Sequence, residues 1–117
     1  IGFYSGLGLL NAIGGTRQMP NVIEIVTNKE SSRVRKVLIG TQKFILRKAR
    51  CEINNKNKIT LQILELATEF EPSDEVNIAL INYAKTNGID IKKLLKYSKY
   101  YPAKTLKNLS EVLYELA

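Results

Sequence analysis

The spacing of apolar residues changes near residue 52, and this change limits the folds open to the chain. Before that point the apolar residues fall in short runs rich in Val and Ile, such as Val22–Thr27, which is typical of β-strands. Beyond it they recur every three or four residues, as in Ile59, Ile63 and Leu66, which is typical of amphipathic helices. Strands followed by helices predict an α+β fold rather than a wound parallel sheet.

The β-rich half, about residues 1–52, contains three predicted strands: 22–27, 34–39 and 43–49. Gly40-Thr41-Gln42 suits a short hairpin between the last two strands. We therefore expect a small three-stranded antiparallel sheet. Three strands cannot bury their apolar face alone, so the helices are expected to pack on it.

One short helix is predicted before the sheet and about four after it. The first helix has Ser5 as its N-cap and ends at Gly14–Gly15, since glycine readily adopts the left-handed conformation. In the helical half, about residues 53–117, four apolar stripes at helical spacing are separated by Ser73, Gly88 and Pro102.

Length and cysteine usage bound the kind of protein. A chain of 117 residues indicates a single domain. The lone Cys51 cannot form an internal disulfide, and a reduced thiol favours the cytoplasm. No apolar run approaches the roughly 18 residues needed to span a bilayer. The chain opens at Ile1 rather than Met, so we expect it to belong to a longer protein.

The positive charge is concentrated in one short stretch. The net charge is +7, and the region 29–50 holds eight Lys and Arg residues but a single acid, Glu30. After Cys51 nine lysines are balanced by nine acids. A concentrated block of cations attracts anions, so it is the strongest functional signal in the sequence.

This block predicts a nucleic-acid-binding surface that contacts phosphates without reading bases. If Lys43, Arg47 and Arg35 share the solvated side of the sheet, the β region forms one electropositive plate. The alternative is a solvated sheet face whose charges protect the strand edges from aggregation. The candidate binding residues are Arg33, Arg35, Lys36, Lys43, Arg47, Lys48 and Arg50.

Several kinds of chemistry are excluded by composition. Without histidine and with one cysteine, the usual zinc sites and the Ser-His-Asp and Cys-His nucleophiles cannot be built. We expect no metal, no cofactor and no catalytic residues. A degenerate nuclease using Glu24 with nearby lysines is a remote alternative; an exposed strand residue paired with Arg or Lys is the simpler interpretation of Glu24.

The opening segment resembles a known family. Y-S-G-L-G-L-L-N-A-I-G-G-T-R-Q-M-P, residues 4–20, is similar to the S-G-x-S-A-x-x-x-x-G-L-T-T-Q-x-P segment of AbiEi-type antitoxins and their relatives. V-I-E-I-V-T-N (22–28), I-G-T-Q-K-F-I-L-R (39–47) and S-K-Y-Y-P-A-K-T-L (98–106) resemble later family segments in the same order. The motif loop consists of Thr16, Arg17, Gln18 and Pro20.

This resemblance implies the C-terminal domain of an antitoxin-like transcriptional regulator from a bacterial abortive-infection system. Such proteins usually carry an N-terminal winged-helix module, which we expect to be missing from this chain. They are encoded beside a nucleotidyltransferase-like toxin whose effect they neutralise, and they repress their own promoter. The implied partners are DNA, through its phosphate backbone, and that toxin, directly or indirectly; no membrane is implied.

One alternative places the chain in a different functional class from DNA-binding domains. The chain is then a protein-interaction module, in which the basic sheet meets an acidic partner or the helices associate with a second copy. Pull-down of the neighbouring gene product and sizing of the chain alone discriminate between this alternative and DNA binding.

Overall fold

The computed structural model describes residues 1–117 as an α+β fold with four strands and six helices. The predicted fold class is therefore confirmed. The elements in chain order are β1 (Gly2–Ser5), α1 (Gly6–Ala12), β2 (Val22–Thr27), β3 (Val34–Ile39), β4 (Gln42–Lys48), α2 (Lys58–Glu69), α3 (Asp74–Thr86), α4 (Ile91–Ser98), α5 (Ala103–Asn108) and α6 (Ser110–Leu116).

The sheet is mixed, so the prediction of three antiparallel strands is wrong. Its strand order is β1-β2-β4-β3, with β2 and β4 parallel and the two outer pairs antiparallel. The predicted β3–β4 hairpin does form. The error lies in its placement: the chain leaves β2, passes to the outer edge as β3, and returns as β4 to pair with β2.

Strand β1 was not predicted, because four residues including a glycine carry too little periodic signal. It pairs antiparallel with β2, with Phe3 opposite Val26 and Ser5 opposite Glu24. The chain then turns sharply into α1 at Gly6, whose φ of 67° suits glycine. The predicted short helix is present, although the Ser5 side chain makes no capping hydrogen bond.

The last predicted helix is two helices in the structure. Helix α5 ends and α6 begins at Leu109, where φ is −88° and ψ is 4°. Two contacts hold α5 on α2: the Thr105 and Thr68 hydroxyls lie 2.6 Å apart, and the Asn108 amide donates to the Ala67 carbonyl. The break at Leu109 lets α6 pack on α3 instead.

Helix α2 forms the centre of the core. It contacts β1, α1, α3, α4 and α5, and its Leu61, Ile63, Leu64 and Leu66 are fully buried. The helices contact mainly β1 and β2, through buried Phe3 and Val26, so they cover one face of the sheet. Strand β3 lies beyond this layer, with five of its six residues exposed.

No helix in the structure combines the length and the apolar character required to cross a bilayer.

Candidate nucleic-acid interface

The predicted cations lie on both faces of the sheet rather than on one. Residues paired across neighbouring strands project to the same face, and successive residues alternate. Arg35 is opposite Leu46, so it lies on the other face from Arg47, which is opposite Val34. Lys36 and Lys43 share the face of Arg47, and Lys48 shares that of Arg35. The expected single electropositive plate is therefore wrong.

Three of the seven predicted cations are ion-paired. The Arg35 guanidinium bonds the Glu30 carboxylate at 2.6 Å on the surface. Arg47 lies 3.0 Å from Glu24 and 3.6 Å from Glu69, and Arg50 lies 3.3 Å from Glu65. The four that form no ion pair are Arg33, Lys36, Lys43 and Lys48.

Four of the seven cations nevertheless converge on one cleft, which we call the arginine cleft. Its volume is about 300 Å³, and it is lined by Arg33, Val34, Arg47, Lys48, Ala49, Arg50 and Glu65. Only one carboxylate lines it. A concave surface with this balance of charge attracts anions, because its potential is focused by the surrounding protein.

The hairpin geometry explains this convergence. Arg33 directly precedes β3 and Lys48 ends β4, and the Lys48 N–H donates to the Arg33 carbonyl at 3.1 Å. Antiparallel pairing thus brings Arg33 and Lys48, neither of which forms an ion pair, to the same end of the hairpin. Because the chain leaves the sheet here, residues from both faces reach the cleft. Helix α2 closes it with Glu65.

The remaining predicted cations do not join this cleft. Lys36 and Lys43 line a separate cavity of about 470 Å³ among apolar residues of β2, β3 and β4. Arg35 lines neither cavity and is held by Glu30.

Two glutamates of α2 orient the arginines, and the sequence did not identify them. Burial raises the pKa of Glu65, and the facing Arg50 only partly offsets this effect. Burial, followed by the charge of Glu24, raises the pKa of Glu69 to about 7. Both glutamates come from an amphipathic helix far along the chain, where nothing in the residue pattern points to the strands.

Tyr101 packs against Arg50 but does not itself line the cleft. The Arg50 guanidinium lies over its ring, 5.1 Å from the centroid. Burial, and then the neighbouring Glu65 carboxylate, raise the pKa of the Tyr101 hydroxyl, so the phenol stays protonated. Stacking and the ion pair together fix the Arg50 side chain at the edge of the cleft.

Glu24 is paired as expected but is not exposed. Its Oε1 accepts hydrogen bonds from Arg47 at 3.0 and 3.3 Å, and its side chain is only 11% exposed. No group of three or more His, Cys, Asp or Glu residues in the chain is arranged to hold a metal ion. The Cys51 thiol has its pKa raised, first by burial and then by Glu65, which disfavours a reactive thiolate.

The motif loop lies apart from the arginine cleft. The Asn11 side chain donates to the carbonyls of Thr16 and Gln18, and the Gln18 N–H donates to the Thr16 hydroxyl. These bonds brace the loop against α1. Arg17 is exposed, and Pro20 lines a different cavity.

Comparison of the chain with protein-family models, with curated proteins and with solved structures yields no match.

Proposed function

We propose that this chain is a non-enzymatic domain that contacts the phosphate backbone of DNA through the arginine cleft. The observation that carries the proposal is the convergence of Arg33, Arg47, Lys48 and Arg50 around a cavity with one carboxylate. Cations so placed neutralise phosphates and release counterions, which favours binding without base readout.

The four cations have different roles in this proposal. Arg33 and Lys48 form no ion pair, so their full charge is available to a phosphate. Arg47 and Arg50 are held by glutamates, so their guanidinium groups are already oriented before a phosphate binds. A guanidinium fixed in place loses less entropy on binding.

The wider role follows from the resemblance of residues 4–20 to antitoxin-type regulators. We place the chain as an accessory domain of a cytoplasmic regulator in a bacterial toxin–antitoxin system. A separate module reads the operator, and this domain adds contacts that are insensitive to sequence.

Filter binding of a short DNA duplex at several salt concentrations tests the proposal. We expect Arg33→Gln/Lys48→Gln to weaken binding. The slope of log K against log salt, which is negative, should become shallower by about 2. The matched control is Lys92→Gln/Lys107→Gln, which removes the same charge from exposed sites on α4 and α5. Equal effects of the two double variants would show that net charge, not the cleft, drives binding.

A second candidate function is favoured by the uncovered face of the sheet. Opposite the helices this face carries Tyr4, Ile23, Ile25, Phe44 and Leu46, and Tyr4 is 64% exposed. An uncovered apolar sheet face marks a protein-interaction site.

Binding of the purified neighbouring gene product tests this second candidate. Phe44→Glu on the uncovered face is expected to abolish it, whereas Ile78→Glu, on an exposed site of α3, leaves it intact. Retained binding by Phe44→Glu would exclude the sheet face.

A further inference from the structure

Strand β3 is an open edge of the sheet. The order β1-β2-β4-β3 leaves two edge strands, β1 and β3. Strand β1 is short and is contacted by α1 and α2, and its Tyr4 carbonyl accepts a hydrogen bond from the Gln62 amide of α2. Strand β3 pairs with β4 alone, and its backbone makes no hydrogen bond to any other segment. The helical layer therefore closes one edge and leaves the other free.

The pairing of β3 with β4 shows which of its backbone groups are free. In an antiparallel pair, residues whose N–H and C=O bond the partner strand alternate with residues whose groups point away from it. The Lys48 N–H donates to the Arg33 carbonyl, so Arg33 belongs to the bonding set. The alternate residues Val34, Lys36 and Leu38 therefore direct their N–H and C=O groups outward. Such groups are a template to which another strand adds.

The β3 edge lacks most of the features that prevent strand addition. Proteins protect exposed edges with prolines, bulges, very short strands or charged side chains. Strand β3 has six residues in unbroken register with β4, and it contains no proline. Leu38 and Ile39 are each 64% exposed. Arg35 is paired with Glu30, so Lys36 is the one charged residue of the strand without an ion pair.

The cavity beside this edge, which we call the lysine groove, favours one sign of charge. It is lined by Val22, Lys36, Val37, Leu38, Lys43, Phe44 and Ile45. Lys36 and Lys43 project to the same face of the sheet, and neither forms an ion pair. No carboxylate lines the groove. Two unpaired ammonium groups at an otherwise apolar surface favour an acidic partner.

The two faces of an added strand would meet different surfaces. On the helix side its side chains would face Lys36, with Lys43 behind it, and on the other side they would lie beside Val37 and Ile39. Acidic residues that alternate with apolar ones match this arrangement. A second copy of β3 does not, because each hairpin of residues 34–48 holds five cations and no acid.

We propose that β3 is the docking edge for an extended acidic segment of a partner protein, which joins the sheet as an additional strand. The backbone of the segment bonds Val34, Lys36 and Leu38. Its carboxylates face Lys36 and Lys43, and its apolar side chains lie beside Val37. The proposal does not depend on DNA binding, because the lysine groove and the arginine cleft share no lining residue.

Titration of the full chain with an end-blocked EVEVEVE peptide, followed by hydrogen exchange of the backbone amides, tests this edge. We expect saturable binding. The N–H groups of Val34, Lys36 and Leu38 should gain protection from exchange, because they acquire partners. The Val37 N–H, which already bonds β4, should change little. The peptide EEEVVVE has the same charge without the alternation and should bind about tenfold more weakly.

Two pairs of variants separate the backbone from the charge. Leu38→Pro removes one outward N–H but keeps every charge, and it should weaken binding about tenfold. Leu38→Thr retains the N–H and is its control, which should bind like the parent chain. Lys36→Gln/Lys43→Gln should weaken binding about fivefold more than Lys92→Gln/Lys107→Gln, which removes the same charge elsewhere.

The proposal is overturned if EVEVEVE does not saturate, if EEEVVVE binds as tightly, or if the protection lies outside β3. It is also overturned if Arg33→Gln/Lys48→Gln abolishes binding, since the peptide then occupies the arginine cleft. Self-association that Leu38→Pro abolishes, measured by sedimentation, would assign the edge to a second copy instead. If Leu38→Pro does not fold, the protection pattern and the lysine variants still decide the outcome.

Discussion

The carboxylate of Glu24 occupies the space that a side chain on residue 6 would need. Gly6 has a φ of 67° and marks the turn from β1 into α1, and Glu24 lies in the neighbouring strand. The same carboxylate holds Arg47 at 3.0 Å. The turn that starts α1 and the ion pair that positions an arginine of the cleft therefore depend on one glycine.

Gly6→Ala is expected to destabilise the protein by about 3 kcal/mol, because it adds steric conflict with Glu24 to the cost of a positive φ. Gly14→Ala is the matched control: its φ is 85°, and nothing lies within 4 Å of an added Cβ. It should cost about 1 kcal/mol. Urea unfolding measures both, and equal costs would contradict the role of Glu24.

Gly8→Ala is expected to stabilise the protein by about 0.5–1 kcal/mol, because alanine is the better helix former and the added methyl group has room. Gly15→Ala should do the opposite, since its Cβ would overlap the Leu10 side chain. Thermal unfolding distinguishes the two. A destabilised Gly8→Ala protein would mean that glycine at position 8 serves the fold.

Stability is expected to fall as the pH rises through about 7, because of Glu69. Burial and the charge of Glu24 raise the pKa of Glu69 from 4.5 to about 7 in the folded protein. The folded state therefore binds the proton more tightly than the unfolded state. The stabilisation from this proton is complete below the unfolded pKa and is lost through the folded one.

Because the Glu69 side chain is 30% exposed, solvent screening reduces the effect to about 1 kcal/mol. Urea unfolding at several pH values between these two pKa values and just above them measures it. Glu69→Gln is expected to flatten the profile. A profile that keeps its slope in this variant would assign the titration to another group.

Tyr83 and Gln62 should prove energetically coupled. The Tyr83 hydroxyl donates to Gln62 Oε1 at 2.6 Å, and Gln62 Nε2 donates to the Tyr4 carbonyl at 3.0 Å. Tyr83→Phe leaves a buried amide oxygen short of a donor and should cost about 1–2 kcal/mol. In a Gln62→Leu background the same change should cost almost nothing. A double-mutant cycle gives the coupling, and additive costs would exclude it.

Local signals were sufficient for most individual elements. The β-branched runs located β2 and β3. Gly40, between β3 and β4, indicated the hairpin. Apolar spacing and the break at Ser73 located α2 and α3, because these features depend on residues only a few positions apart. The break at Leu109 escaped prediction, since the apolar stripe continues through it and contacts of α5 with α2 decide it.

The sequence by itself determined an α+β chain with its excess positive charge concentrated between residues 29 and 50. Only the tertiary structure decided that β4 pairs parallel to β2, that β1 joins the sheet, and that Glu65 and Glu69 of α2 reach Arg50 and Arg47. Charge content and periodicity are properties of neighbouring residues. Strand order and ion pairing depend on which distant segments pack together, and burial of the apolar face around α2 selects that arrangement.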